Sequence, residues 1–83
     1  MSNWSVYIIR ATDQSLYTGI TTDVERRFAE HQSGRAGAKY FRGRSPVEVV
    51  FIESEHNRSS ASIREAQIKK LSREQKLELI GCS

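Results

Sequence analysis

Several side chains in this 83-residue chain have types and spacings suited to chemistry on a phosphate-bearing substrate. Residues 31–46, HQSGRAGAKYFRGRSP, contain Arg35, Lys39, Arg42 and Arg44 and no acid. Positive charge attracts phosphate, and the interleaved rings of Tyr40 and Phe41 offer faces on which unpaired bases stack. The other reading is a solvated loop whose aromatic side chains fold back onto the core. In DVERRFAEH (Asp23 to His31), a rotation of about 100° per residue puts Arg27 and His31 on one helix face. They lie one turn apart, beside the apolar stripe of Val24 and Phe28. An arginine snorkelling at the core edge and a histidine answering the helix dipole would give the same spacing. Glu65 borders a second stripe, formed by Ala61, Ile68 and Leu71, with Lys69 at i+4 as an ordinary ion-pair partner. Tyr7 and Tyr17 stand on two expected strands, where cross-strand packing is the usual role. With a reference pKa of about 10, tyrosine is a rare base. Gly19 weakens its strand and marks a place where something needs room.

Other chemistries drop out on residue type. His31 and His56 are the only histidines, with no carboxylate pattern around them for a zinc site. No G-x-S-x-G, P-loop or dinucleotide-binding fingerprint occurs. Cys82 is the sole cysteine, which excludes an internal disulfide or a cysteine-based metal cluster. No apolar run approaches the roughly 20 residues of a membrane helix. The start, MSNWSVYIIR, has neither the basic nor the long apolar region of a secretion signal. The expected setting is a reducing cytoplasm, with no membrane partner.

The elements that must position these residues can be read coarsely. Residues 4–10 (WSVYIIR) and 15–20 (SLYTGI) read as strands joined by a short turn, hence a hairpin. If the turn sets even-parity pairing, Tyr7 and Tyr17 share a face. Thr21 or Thr22 caps a helix over about 23–32, Thr22 having Glu25 at capping-box spacing, and the helix stops before Gly34. Residues 33–46 form a loop, and 47–53 (VEVVFIE) is the strongest strand. Asn57 caps a helix over about 58–71, and Ser72 with Gln75 opens another over about 73–80. The order β-β-α-β-α-α suggests an α+β fold with helices packed on a small sheet. The length allows one domain, residues 1–83. A chain this short buries only roughly 60% of its unfolded surface, so any site should be a shallow cleft.

Charge sharpens the picture. The formal net charge is +3, from thirteen basic and ten acidic residues. With four basic residues and no acid in 31–46, the remainder is slightly acidic. The whole surplus therefore sits in one loop, directly after the helix that carries Arg27 and His31.

Together these segments resemble the GIY-YIG nuclease family. Ser5-Val6-Tyr7 stands at the first signature, where only the tyrosine is kept. Tyr17-Thr18-Gly19 stands at the second, ten residues on. The Asp23–His31 helix and Glu65, within ASIREAQIKKL, follow. The resemblance covers essentially the entire chain and is closest to the small stand-alone bacterial members. It implies a three-stranded antiparallel sheet flanked by helices and a phosphodiester-hydrolysing activity that uses one divalent metal, Mg²⁺ or Mn²⁺. By the same resemblance Tyr7 is the general base, Tyr17 positions water or phosphate, and His31 orients the base. Arg27 binds the scissile phosphate and Glu65 holds the metal. Members of the family often have an asparagine after the metal glutamate. None follows Asn57 here, and Gln75 is the candidate amide in its place. The expected function is a DNA endonuclease of low sequence specificity, acting on single-stranded, branched or damaged DNA in repair or recombination. Arg35, Lys39, Tyr40, Arg42 and Arg44 would grip the strand. The alternatives are a nucleic-acid-binding module with lost or residual catalysis, and an interaction domain in which these residues are merely inherited.

Overall fold

The computed structural model describes residues 3–34, 41 and 43–81. The elements are β1 (Trp4–Ala11), β2 (Leu16–Thr21), α1 (Val24–Ser33), β3 (Pro46–His56), α2 (Arg58–Lys69) and α3 (Arg73–Leu79). The three strands form one antiparallel sheet in the order β2-β1-β3. This is the α+β arrangement expected from the order of elements.

β1 is the central strand, which accounts for its run of apolar residues. Val6, Ile8 and Ile9 have no solvent exposure, and Tyr7 has 1%. Alternation sends successive side chains to opposite faces. On one face Val6 and Ile8 join Leu16, Ala61 and Ile68 in the main core, with Leu77, Leu79 and Ile80 from the C-terminal segment packed against it. Tyr7 points to the other face and meets α1 at His31. The sheet is thus covered by α2 on one side and approached by α1 on the other.

Local chemistry sets the element ends. Asn57 Oδ1 accepts from the Ser60 amide at 2.8 Å while Ser60 Oγ accepts from the Asn57 amide at 3.1 Å, a complete capping box at the start of α2. Ser72 and Gln75 form a second box at the start of α3. Gly34, at φ 78°, ends α1 in the left-handed region that glycine adopts without strain. The α1 cap differs from the Thr22–Glu25 box expected from sequence. Asp23 Oδ1 accepts from the Arg26 amide at 3.1 Å, and Thr21 Oγ1 accepts from the Asp23 amide at 3.1 Å. A carboxylate beside the positive helix end outcompetes the neighbouring hydroxyl, so the cap moves on by one residue.

β3 also runs further than its apolar pattern, to His56, because it pairs back to Trp4 through an irregular register. Glu55 lies at φ 65° in this irregular stretch. The strand end is tied to α2 by His56, which bonds Ser60 Oγ at 2.9 Å and Glu53 Oε1 at 2.7 Å. Arg64 Nε adds a 3.1 Å bond to the same carboxylate. Burial alone would raise the Glu53 pKa, but the hydrogen bonds from His56 and Arg64 outweigh it and hold the carboxyl below its ordinary range.

Asn57→Ala should cost about 0.5–2 kcal/mol of folding stability, read as a lower urea midpoint with an unchanged slope.

Candidate active site

The site begins with a register. Tyr7 pairs with Gly19 and Ile9 with Tyr17, so both tyrosines project from the same sheet face. Gly19 lets the Tyr7 ring lie across β2. A Cβ at position 19 would sit 2.5 Å from Tyr7 Oη and 2.7 Å from Cζ. The close approach suspected from a glycine inside a strand is therefore the Tyr7 ring itself.

Tyr7 Oη lies 3.1 Å from His31 Nε2. Burial pushes the Tyr7 pKa up to about 12, and Tyr17 and Glu65 push the same way. The hydrogen bonding and charge of Arg27 oppose them. Arg27 in turn donates to Glu30 Oε1 at 3.2 Å. Glu65 is three-quarters buried, and its carboxylate lies 3.5 Å from Lys69 Nζ. Tyr7, Tyr17, Arg27, His31 and Glu65 therefore share one electrostatic environment, although they come from β1, β2, α1 and α2.

His31 is the only buried residue of α1. Burial, reinforced by the Arg27 charge, lowers its pKa below the ordinary value, so the ring is neutral at pH 7. Its Nδ1 is buried with no hydrogen-bond partner among the described residues. A buried lone pair without a donor is better tolerated than a buried N–H without an acceptor. On that ground we assign the single ring proton to Nε2, facing Tyr7 Oη. A phenolic oxygen that receives such a bond is prepared to carry negative charge.

Phe41 closes this corner. Its ring centroid lies 4.8 Å from that of His31 and 5.1 Å from that of Tyr17, while Tyr17 meets His31 edge-on at 5.3 Å. At least one aromatic residue of the basic loop thus folds back onto the sheet. Sequence reasoning placed Phe41 in the loop but not in the site, because no local periodicity signals a contact across 24 residues to Tyr17. Glu30 pairs with both Arg26 and Arg27.

Residues 3–78 match the family model of the GIY-YIG catalytic domain. The chain belongs to the GIY-YIG family. It is similar to a UPF0213 protein of Syntrophus aciditrophicus, at 50% identity over 96% of this chain and 92% of that protein. It also resembles the UPF0213 protein YhbQ of Escherichia coli, at 48% identity over 98% and 80% of the two chains. The solution structure of the UPF0213 protein BH0048 from Bacillus halodurans superposes with a TM-score of 0.59. It shares 44% identity, covering 94% of this chain and 82% of that one. GIY-YIG membership points to a nuclease-type hydrolase with a nucleic-acid substrate.

Within this GIY-YIG domain Gln75 and Arg44 have partners of their own. The Gln75 side-chain carbonyl accepts from the Ser72 amide at 2.9 Å. It closes the α3 cap, because the reciprocal bond of a capping box is available locally. Arg44 bonds Ser15 Oγ at 3.2 Å and pairs with Asp13 Oδ2 at 3.3 Å, so it braces the β1–β2 turn. Hydrogen bonds from Ser15, with the Arg44 charge, hold the Asp13 carboxyl below its ordinary value. Arg35, Lys39, Tyr40 and Arg42 lie outside the described residues. No cluster of three or more histidine, cysteine or acidic side chains occurs among the described residues, and none of their helices is long and apolar enough to cross a membrane. Glu65 is the carboxylate whose charge acts on Tyr7, and a single hard oxygen ligand suits a cation that keeps most of its waters, as Mg²⁺ does.

Two variants test this packing. Gly19→Ala should destabilise by about 1–3 kcal/mol through overpacking against Tyr7, measured by urea unfolding. Phe41→Ala should raise the His31 pKa toward about 6.5, followed by NMR titration of the ring. Wild-type stability should decline as pH falls below about 6.5, because the unfolded chain takes up the His31 proton first. The variant should lose less stability over that interval.

Proposed function

We propose that this chain is a divalent-metal-dependent endonuclease that hydrolyses DNA phosphodiester bonds with low sequence specificity. The observation that supports this reading is the meeting of Tyr7, Tyr17, Arg27 and His31 with the charge of Glu65. A pure phosphate-binding surface has no use for a carboxylate at that point, since it repels the ligand.

Hydrolysis needs a water stripped of a proton, neutralisation of charge on the phosphoryl oxygens and a stabilised leaving oxygen. Arg27 would bind the scissile phosphate through its planar fork of donors. Tyr7 would take the proton from the attacking water. The Nε2 proton of His31 and the Arg27 charge both favour the phenolate that this role requires. Tyr17 would position the water or the phosphate beside Tyr7. Glu65 would hold Mg²⁺ or Mn²⁺, which supplies Lewis-acid stabilisation of the charge on the phosphate and leaving group. Phe41 excludes water from His31 and so keeps the ring neutral and oriented. Affinity would come mostly from phosphates and would fall with salt.

A cleavage panel over single-stranded, duplex and branched DNA, with Mg²⁺ or Mn²⁺, tests the reading. Glu65→Gln should abolish cleavage and leave binding intact. Tyr7→Phe should slow turnover by about 10²–10⁴-fold. Because burial raises the Tyr7 pKa, the wild-type rate should climb from neutral to alkaline pH. Cleavage by Glu65→Gln equal to wild type would remove the assignment.

A further inference from the structure

A concavity adjoins the cluster. It lies where β1 begins, β2 ends and α1 starts, and has a volume of about 370 Å³. Trp4 and Ile20 supply apolar wall, Thr21 and Thr22 supply hydroxyls, and the charged residues Asp23, Arg26, Arg27 and Glu30 line the remainder. Arg27 is the shared residue: it borders this pocket and also acts on Tyr7. A group seated here would therefore be next to the phosphate assigned to Arg27.

The lining is selective. An indole and a branched aliphatic side chain suit the flat face of a nucleobase. The Thr22 hydroxyl suits its polar edge, while Thr21 Oγ1 is held by Asp23. The pocket acids are already committed. Glu30 is paired with Arg26 at 3.4 Å and Arg27 at 3.2 Å, and Asp23 caps α1. Arg26 keeps three-quarters of its side chain exposed, so it can exchange its Glu30 contact for a backbone phosphate while Arg27 still holds Glu30. Arg58 of α2 lies over the Trp4 ring, 5.8 Å from its centroid, and adds positive charge beside the indole. The volume falls within the roughly 300–1,000 Å³ of small-ligand sites, enough for one nucleoside and far too small for a duplex. A paired base could enter only by leaving its stack.

We propose that the Trp4 pocket receives the unpaired base of the nucleotide adjoining the scissile phosphate, so that the substrate is single-stranded at the cut. This rests on the nuclease reading, but it concerns binding and can be tested without cleavage. Trp4 is the only tryptophan in the chain, so intrinsic emission reports on the pocket directly. The wild-type protein is titrated in EDTA with a fluorescein-labelled single-stranded oligonucleotide, the same sequence as a blunt duplex, the strand with abasic nucleotides, and thymidine monophosphate. Anisotropy of the label measures binding of each strand independently. The single strand should change Trp4 emission over the same concentrations that raise anisotropy. The duplex and the abasic strand should leave emission unchanged. Trp4→Leu should weaken single-strand binding by about 5- to 100-fold, and Trp4→Tyr should restore most of it. Strand binding with unchanged emission, or an equal response to the duplex, overturns the pocket and leaves the nuclease reading standing. Quenching by thymidine monophosphate at concentrations as low as the strand requires would make this a free-nucleotide site and also overturn it. No binding of any DNA overturns the proposed function, and the pocket assignment with it.

Discussion

The Tyr7 hydroxyl lies over Gly19 of the strand next to its own, and this is possible only because Gly19 has no side chain. That steric vacancy lets a ring on the central strand cross β2 and reach His31 on α1. Much else follows from the crossing. Tyr7 is buried enough for its pKa to rise. His31 is buried against it with one ring nitrogen unpartnered among the described residues. The two tyrosines are held on one face beside Arg27. A side chain at position 19 would displace the phenol, and the convergence of β1, β2 and α1 at this point would be lost.

The electrostatics of the cluster are balanced between opposed contributions. Burial, Tyr17 and Glu65 favour a protonated Tyr7, while Arg27 favours the phenolate. Burial alone would lower the Arg27 pKa, but Tyr7 and Glu30 together outweigh it and raise it, so the guanidinium is secure as a cation. A small domain has little interior in which to build a deep cavity. This one instead shifts its tyrosine and histidine by sealing one corner of the sheet with Phe41. The loop aromatic and the α1 histidine thereby cover each other, and the basic loop is tied down at one point beside the catalytic candidates.

Much of this architecture was legible residue by residue. The caps at Asn57 and Ser72 were visible because their partners lie three positions away, and the stripes of α1 and α2 because helical periodicity is local. The face shared by Arg27 and His31 held for the same reason. The α1 cap was misplaced by one residue, because Asp23 and Thr22 are both competent and only their geometry against Thr21 separates them. β3 was read too short, because its last residues are held by pairing to Trp4 and by the His56–Glu53–Arg64 contacts, not by their own apolarity.

Glu65, Arg44 and Gln75 mark the boundary between the two kinds of information. Their residue types alone suggested a metal ligand, a strand-gripping cation and a site amide. The Glu65 charge acts on Tyr7. Arg44 went to Asp13 and Gln75 to its own helix cap, because each had a nearby partner already in place. The amino-acid order by itself determined the sequence of elements, most of their ends and the residues able to do chemistry, since caps, periodicity and strand alternation act over a few positions. Only the tertiary structure decided the Tyr7–Gly19 register, the closure by Phe41 and the pocket at Trp4. Those depend on contacts between residues far apart in the chain, whose strength is set by packing.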